Sequence, residues 1–354
     1  MRAVDPGAAV EGVGALPQPG HLGVPPFVRR ERRVQEWEPD RDGQADGGER
    51  AERWGPPRAD LDRRTAITAA AALAVALAGA VALFGLGLTP DRYLVVLLAP
   101  ALVLRRARRF LLDFVPFAVL IVLYAESRGV AHLVHPHPFY RPQLDLERLL
   151  FGGHVPSVVV QHWLWSGSSR WYDHALVEFT KLHFIVPPLL AFVLWVKRRA
   201  LFYRFAASML ALSYAGAITF LIFPSAPPWA AAQTGLIDPI DKLPIPHGAV
   251  AASSLPSTMS SVSITRVVAK NPYAAIPSLH GGYAFLVFLF VAMLLWKTRW
   301  RWLIPVIALY PLIQSFAVVY TANHYVVDLL IGFAYATAAI LGVRWFWRRR
   351  GWPE

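Results

Sequence analysis

The chain has 354 residues and a mass of 39.3 kDa, with 55% apolar residues, only 16% charged residues and a mean hydropathy of +0.40. Soluble domains carry about 25% charge, so a single water-soluble globule is excluded, and the absence of cysteine removes disulfides, thiolate nucleophiles and cysteine metal sites. Twelve of the 23 acids but nine of the 35 Lys and Arg lie in residues 1–62, leaving that stretch near −3 and the rest near +15; the basic residues of the rest sit between long apolar runs, which fits lipid headgroups and not nucleic acid.

Residues 1–62 mix Pro, Gly, Arg, Glu and Asp without apolar periodicity, so they read as a disordered cytoplasmic tail. A polar leader of this length argues against a cleavable signal peptide. From Thr65 the pattern changes to apolar segments near the length of about 20 residues that a bilayer crossing needs. These predict helices near 66–88, 92–104, 110–126, 174–196, 201–223, 280–296, 301–320 and 325–346, of which the second is short. Between the third and fourth, a stretch with His132, His135, His137, Asp145, Glu147 and the run VPSVVVQHWLW reads as interfacial. A loop at 224–277, rich in Pro, Ser and Ala, joins the fifth to the sixth.

The basic residues test this count. Clusters at 63–64, 105–109, 197–199, 297–301 and 348–350 all fall on one side of eight crossings, as the positive-inside rule requires. The expected architecture is an all-α polytopic membrane bundle over residues 63–350, multi-pass in the cell membrane. Both termini are then cytoplasmic, and loops 127–173, 224–279 and 321–324 face outward.

An ionisable residue inside an apolar segment is a functional candidate by default. The sixth helix opens with IPSLHGGYAF, which puts Ser278 at an N-cap and His280 in the first turn, with the amides of Gly281 and Gly282 at an end suited to an anion such as phosphate. The eighth opens with TANHYVVDLLIGF, in which His324 and Asp328, four apart, share a face. A carboxylate there orients the imidazole and raises the basicity of its other nitrogen. The seventh helix is one crossing, so His280 and His324 start on the same membrane face. Two such imidazoles suit a double displacement at phosphorus, one attacking and the other moving protons, with no metal and no cofactor.

The segments FPSAPPW at 223–229, NPYAAIPSLH at 271–280 and YTANHYVVDLLIG at 320–332, with weaker echoes in LYAESRG at 123–129, LDLERLLFGG at 144–153 and KLHFIVPP at 181–188, resemble the type 2 phosphatidic acid phosphatase superfamily. Within it they look like the branch of inositol phosphorylceramide synthase-like phosphotransferases. The resemblance implies a helix bundle with a six-helix core, His324 as nucleophile, Asp328 as its orienting partner and His280 as the acid and base. The sequence departs from the phosphatases of that superfamily in three ways: it has no clear version of their upstream Lys-and-Arg-Pro motif, Leu279 stands where their serine motif has Gly, and Val318 where they carry an Arg six residues before the nucleophile. The phosphate charge then falls to other groups, and the candidates are Arg128, Lys181, Arg266 and Lys270, with His183 at the headgroup.

Each feature also has a plainer explanation. The His324–Asp328 pair is equally a hydrogen bond between helix turns, Glu178–Lys181 an ordinary i,i+3 pair, and FPSAPPW a Pro-rich helix stop with Trp229 as an interfacial anchor. His132, His135 and His137 lack the carboxylate or Cys companions of a metal site. Three functions follow: a lipid headgroup transferase using a membrane phospholipid and a polyol, an inositol among them, as partners; a lipid phosphate phosphatase using water; and a lipid transporter or scramblase. The third would show repeated halves, and the sequence has none.

Overall fold

The computed structural model describes residues 62–134, 137–243 and 273–351, and of 129–134 the backbone alone. The expected tail, except Asp62, therefore lies outside the described residues, as do Arg266, Lys270, His135 and the side chain of His132. Twelve α-helices run in order among the described residues: α1 (Arg63–Phe84), α2 (Pro90–Val103), α3 (Ala107–Val134), α4 (Arg141–Leu150), α5 (Pro156–Leu164), α6 (Trp171–Thr180), α7 (Leu182–Lys197), α8 (Arg199–Ile222), α9 (Pro228–Gln233), α10 (Leu279–Leu295), α11 (Ile304–Tyr320) and α12 (Val326–Arg349). Two isolated bridges, Phe139 to Ser225 and Ser225 to Ala274, are the extended pairings among them.

The first helix starts where its cap allows. Asp62 accepts from the Thr65 N–H at 2.9 Å, so α1 begins at Arg63. It buries little beyond Ala69 and Ala80, and its remaining apolar surface is left for lipid. Five helices, α1, α3, α8, α11 with its preceding turn, and α12, are long and apolar enough to cross a bilayer singly. The pair α6 and α7 makes a sixth if counted together. α10 has 17 residues, at the lower edge of the range, and α2 has 14, about 21 Å against a hydrocarbon core of about 30 Å.

One expectation needs correction. The helix expected over 174–196 is broken at Lys181, where α6 and α7 meet at a 46° bend. The carbonyl of Thr180 leaves the helical ladder to accept from His183 Nδ1 and from Gln314 Nε2 of α11, the latter at 2.9 Å; a side chain intruding on the ladder is a standard cause of a kink. The stretch read as interfacial forms two short helices, α4 against the start of α12 and α5 against the end of α11.

The bundle is held at one end by a buried carboxylate. Asp113 of α3 accepts from Trp195 Nε1 and Arg199 Nε, each at 2.7 Å, and from Tyr203 Oη at 2.6 Å, and it pairs with the Arg199 guanidinium. Around it pack Phe110, Phe114, Phe192 and Phe202 in stacked and edge-on pairs. A charge with four donor groups from three residues tolerates burial; one without them does not. At the other end, α10 and α12 approach so closely that a Cβ on Gly332 would lie 2.4 Å from the Ser278 carbonyl oxygen, and one on Gly281 2.5 Å from Leu329 Cδ2. Small residues let membrane helices meet at this range.

Asp113→Ala should destabilise the protein by about 3 kcal/mol, because it strands the Arg199 charge, and thermal unfolding in detergent checks this. Gly332→Ala should lower the melting temperature and abolish function, since the obstructing atom is backbone. Gly342→Ala, on the same helix with nothing within 4 Å of the added carbon, should be neutral or slightly stabilising.

Candidate active site

The site forms where α10 and α12 begin. Ser278 caps α10: its Oγ accepts from the Gly281 N–H at 3.3 Å, and its own N–H donates to the Asp328 carbonyl at 2.9 Å, tying the two helix starts together. The turn that delivers His324 closes α11 with a paired backbone motif. The Asn323 N–H reaches the Val318 carbonyl at 3.0 Å and the Ala322 N–H the Val319 carbonyl at 3.0 Å, with Ala322 in the left-handed region at φ +58°. That position usually takes Gly; here the Trp229 N–H, donating to the Ala322 carbonyl at 3.2 Å, helps hold it.

The segment FPSAPPW does more than stop a helix. Ser225 is fully buried, its Oγ accepts from the Ile276 N–H at 2.7 Å, and its N–H donates to the Tyr273 carbonyl at 2.9 Å. This strap fixes Ala275, whose carbonyl lies 3.1 Å from His324 Nδ1. A carbonyl can only accept, so His324 carries its proton on Nδ1 and keeps a lone pair on Nε2. Asp328 Oδ2 stands 3.4 Å from the same Nδ1 while accepting from the Tyr325 N–H at 2.9 Å. The orienting acceptor is thus shared between Ala275 and Asp328, where the sequence pointed to Asp328 alone.

His280 Nδ1 lies 2.9 Å from His324 Nε2. His183 continues the row, its ring 4.3 Å from that of His280 between centroids, and its Nδ1 donates to the Thr180 carbonyl at the bend. The three imidazoles form one end of a cavity of about 370 Å³. Arg128 and Glu126 of α3 stand at the same end, and the cavity continues between α2, α3 and α8 along apolar residues including Leu94, Leu97, Phe117, Ile121 and Met209. A polar head and an apolar body of this kind match an amphiphile.

The other expected residues are placed as follows. Arg128 is the Lys or Arg that lines the cavity among the described residues. Lys181 does not line it and is bound to Glu178. Gly281 is buried against Leu329 with its amide turned to Ser278, so its role here is packing. Val318 is fully buried, and His137 is exposed away from the cavity.

Two residues gain a place that the sequence did not assign. Ser225 is one. Glu147 is the other: it is completely buried in α4, and its carboxylate accepts from the Val326 N–H at 3.0 Å and the Val327 N–H at 2.9 Å, the first amides of α12. Burial raises its pKa above the usual carboxylate range, the two amides oppose the rise, and the nearby Asp328 charge adds to it. α4 turns Gln143 and Glu147, four apart, inward beside the buried Leu144 and leaves Leu146, Leu149 and Leu150 exposed, so polar side chains share its buried face.

The chain is 29% identical over 252 residues to a phosphoinositol dihydroceramide synthase of Bacteroides thetaiotaomicron, covering 68% of this chain and 77% of the relative. No solved structure matches the chain. The family model described as the PAP2 superfamily matches residues 144–342, more than half of the chain and all three histidines of the row, and the protein is a member of that superfamily.

Proposed function

We propose that this protein is a membrane phosphotransferase that moves a phosphate-bearing headgroup from a phospholipid to a hydroxyl acceptor through a phosphohistidine on His324. The observation that carries the reading is the 2.9 Å approach of His280 Nδ1 to His324 Nε2 at the polar end of an amphipathic cavity. The relative's name describes phosphoinositol joined to a dihydroceramide. It makes a phosphoinositol-bearing phospholipid the proposed donor, and the hydroxyl of a ceramide-like lipid the acceptor in preference to a free polyol.

In the proposed reaction the lone pair of His324 Nε2 attacks phosphorus and the bond from phosphorus to the donor's alkoxide oxygen breaks. Protonated His280 gives that oxygen its proton. His324, now carrying both a phosphoryl group on Nε2 and a proton on Nδ1, is cationic, and Asp328 with the Ala275 carbonyl stabilises the charge as it develops. Neutral His280 then takes the proton of the acceptor hydroxyl as its oxygen attacks phosphorus, and the P–N bond breaks. Arg128 meets the phosphoryl oxygens in place of the Arg that Val318 replaces, and His183 borders the headgroup. The basic clusters lie at the opposite ends of α7, α10 and α12 from the histidines, which by the positive-inside rule supports a site on the outer face and cytoplasmic termini.

Purified protein given a phosphoinositol lipid labelled in its phosphate, together with ceramide, should pass label to the ceramide and carry an acid-labile label itself. His324→Ala should lose both, with turnover down by about a thousandfold or more. Label found only in inositol phosphate or inorganic phosphate would establish the hydrolase instead, and lipid flipping undiminished in His324→Ala would favour the transporter. His280→Ala should slow transfer from a lipid alkoxide by about a hundredfold, but reaction of a nitrophenyl ester, whose leaving group needs no proton, by much less; equal losses on both would remove His280 from the acid role.

A further inference from the structure

The first amides of a helix lack partners within the helix and are normally satisfied by a side chain at the cap. α12 starts after Tyr325, which supplies no such cap hydrogen bond to the helix amides. Its first three free amides are met by two carboxylates instead. Asp328 takes the Tyr325 N–H from within the helix, while the N–H groups of Val326 and Val327 are taken by the two oxygens of Glu147, which lies about 180 residues earlier in the chain.

Other groups of the same outer layer hold the backbone just before. Ser157 Oγ at the start of α5 faces the His324 carbonyl at 3.5 Å, and Gln161 Nε2 donates to the Tyr320 carbonyl at 2.8 Å. The chain on both sides of His324 is therefore gripped by α4 and α5, with one charge-assisted, two-pronged contact among the grips. Charge-assisted hydrogen bonds are about twice as strong as neutral ones, and two prongs fix direction as well as distance. A local Ser or Asp would satisfy the same amides; an imported carboxylate also sets where the helix start sits relative to the rest of the outer layer.

We propose that Glu147 is a positioning residue for His324, holding the start of α12 so that the imidazole Nε2 faces His280 and the cavity. It touches neither the cavity nor the histidines, and it acts through the backbone of residues 324–327. The proposal rests on the reading of His324 as nucleophile, but its structural half stands apart from it.

The test uses the full-length protein with Glu147→Gln, which keeps the size of the side chain but turns an amide nitrogen toward one N–H, and Glu147→Asp, which keeps the charge but withdraws it by one methylene. Asp145→Asn, exposed on the same helix, is the control. Hydrogen exchange of a peptide covering 322–330 should quicken at least tenfold in Glu147→Gln, less in Glu147→Asp and not in the control. Turnover per labelled active site should fall about ten- to a hundredfold in Glu147→Gln, with KM for the lipid within about twofold. Counting labelled sites removes any contribution from unfolded protein. Unchanged exchange with turnover within twofold of wild type overturns the proposal, as does a loss seen in KM alone. If wild-type protein neither transfers nor takes label, the phosphotransferase reading falls, and the exchange measurement still decides whether Glu147 holds the helix.

Discussion

The approach of α10 to α12 is the constraint on which the rest of the site depends. A missing side chain at Gly332 lets the Ser278 carbonyl sit where a Cβ would otherwise be, and the Ser278 N–H then reaches the Asp328 carbonyl. With the two helix starts held at that distance, His280 Nδ1 and His324 Nε2 come within 2.9 Å of each other. The Ser225 strap completes the arrangement from a third direction, because it carries the Ala275 carbonyl that decides which nitrogen of His324 bears the proton.

Polar groups are gathered at the two ends of the bundle. At the end that bears the basic clusters, Asp113 gathers Trp195, Arg199 and Tyr203 from α7 and α8. At the other, Glu147 and Asp328 share the amides that open α12. Between them the cavity wall is largely apolar, drawn from α2, α3 and α8. This division follows from the solvent: hydrocarbon offers no partner for an unpaired polar atom, so the polar contacts are concentrated where the chain turns and where water or headgroups begin.

Much of this was legible in the residues alone. The apolar runs and the basic clusters mark most of the helices, because length and charge asymmetry are local properties. The two histidines declare themselves because each opens an apolar helix beside an N-cap Ser or a carboxylate. What escaped was decided by distant partners. Nothing near Thr180 announces that Gln314 will take its carbonyl and bend the helix at Lys181. Nothing in FPSAPPW says that Ser225 will pair with Ile276. Gly281 read as an open anion-facing amide because the cap was visible in the sequence but the closeness of Leu329 was not.

The resting contact between the imidazoles has an implication for idle chemistry. His324 Nε2 already accepts a hydrogen bond from its neighbour, so its lone pair is engaged until something parts the rings. In the proposed reaction, a phosphoester that parts the rings brings its electrophilic centre to a nitrogen already aimed at it. On that reading the pair is a latch that the substrate itself opens, and the nitrogen is guarded between turnovers.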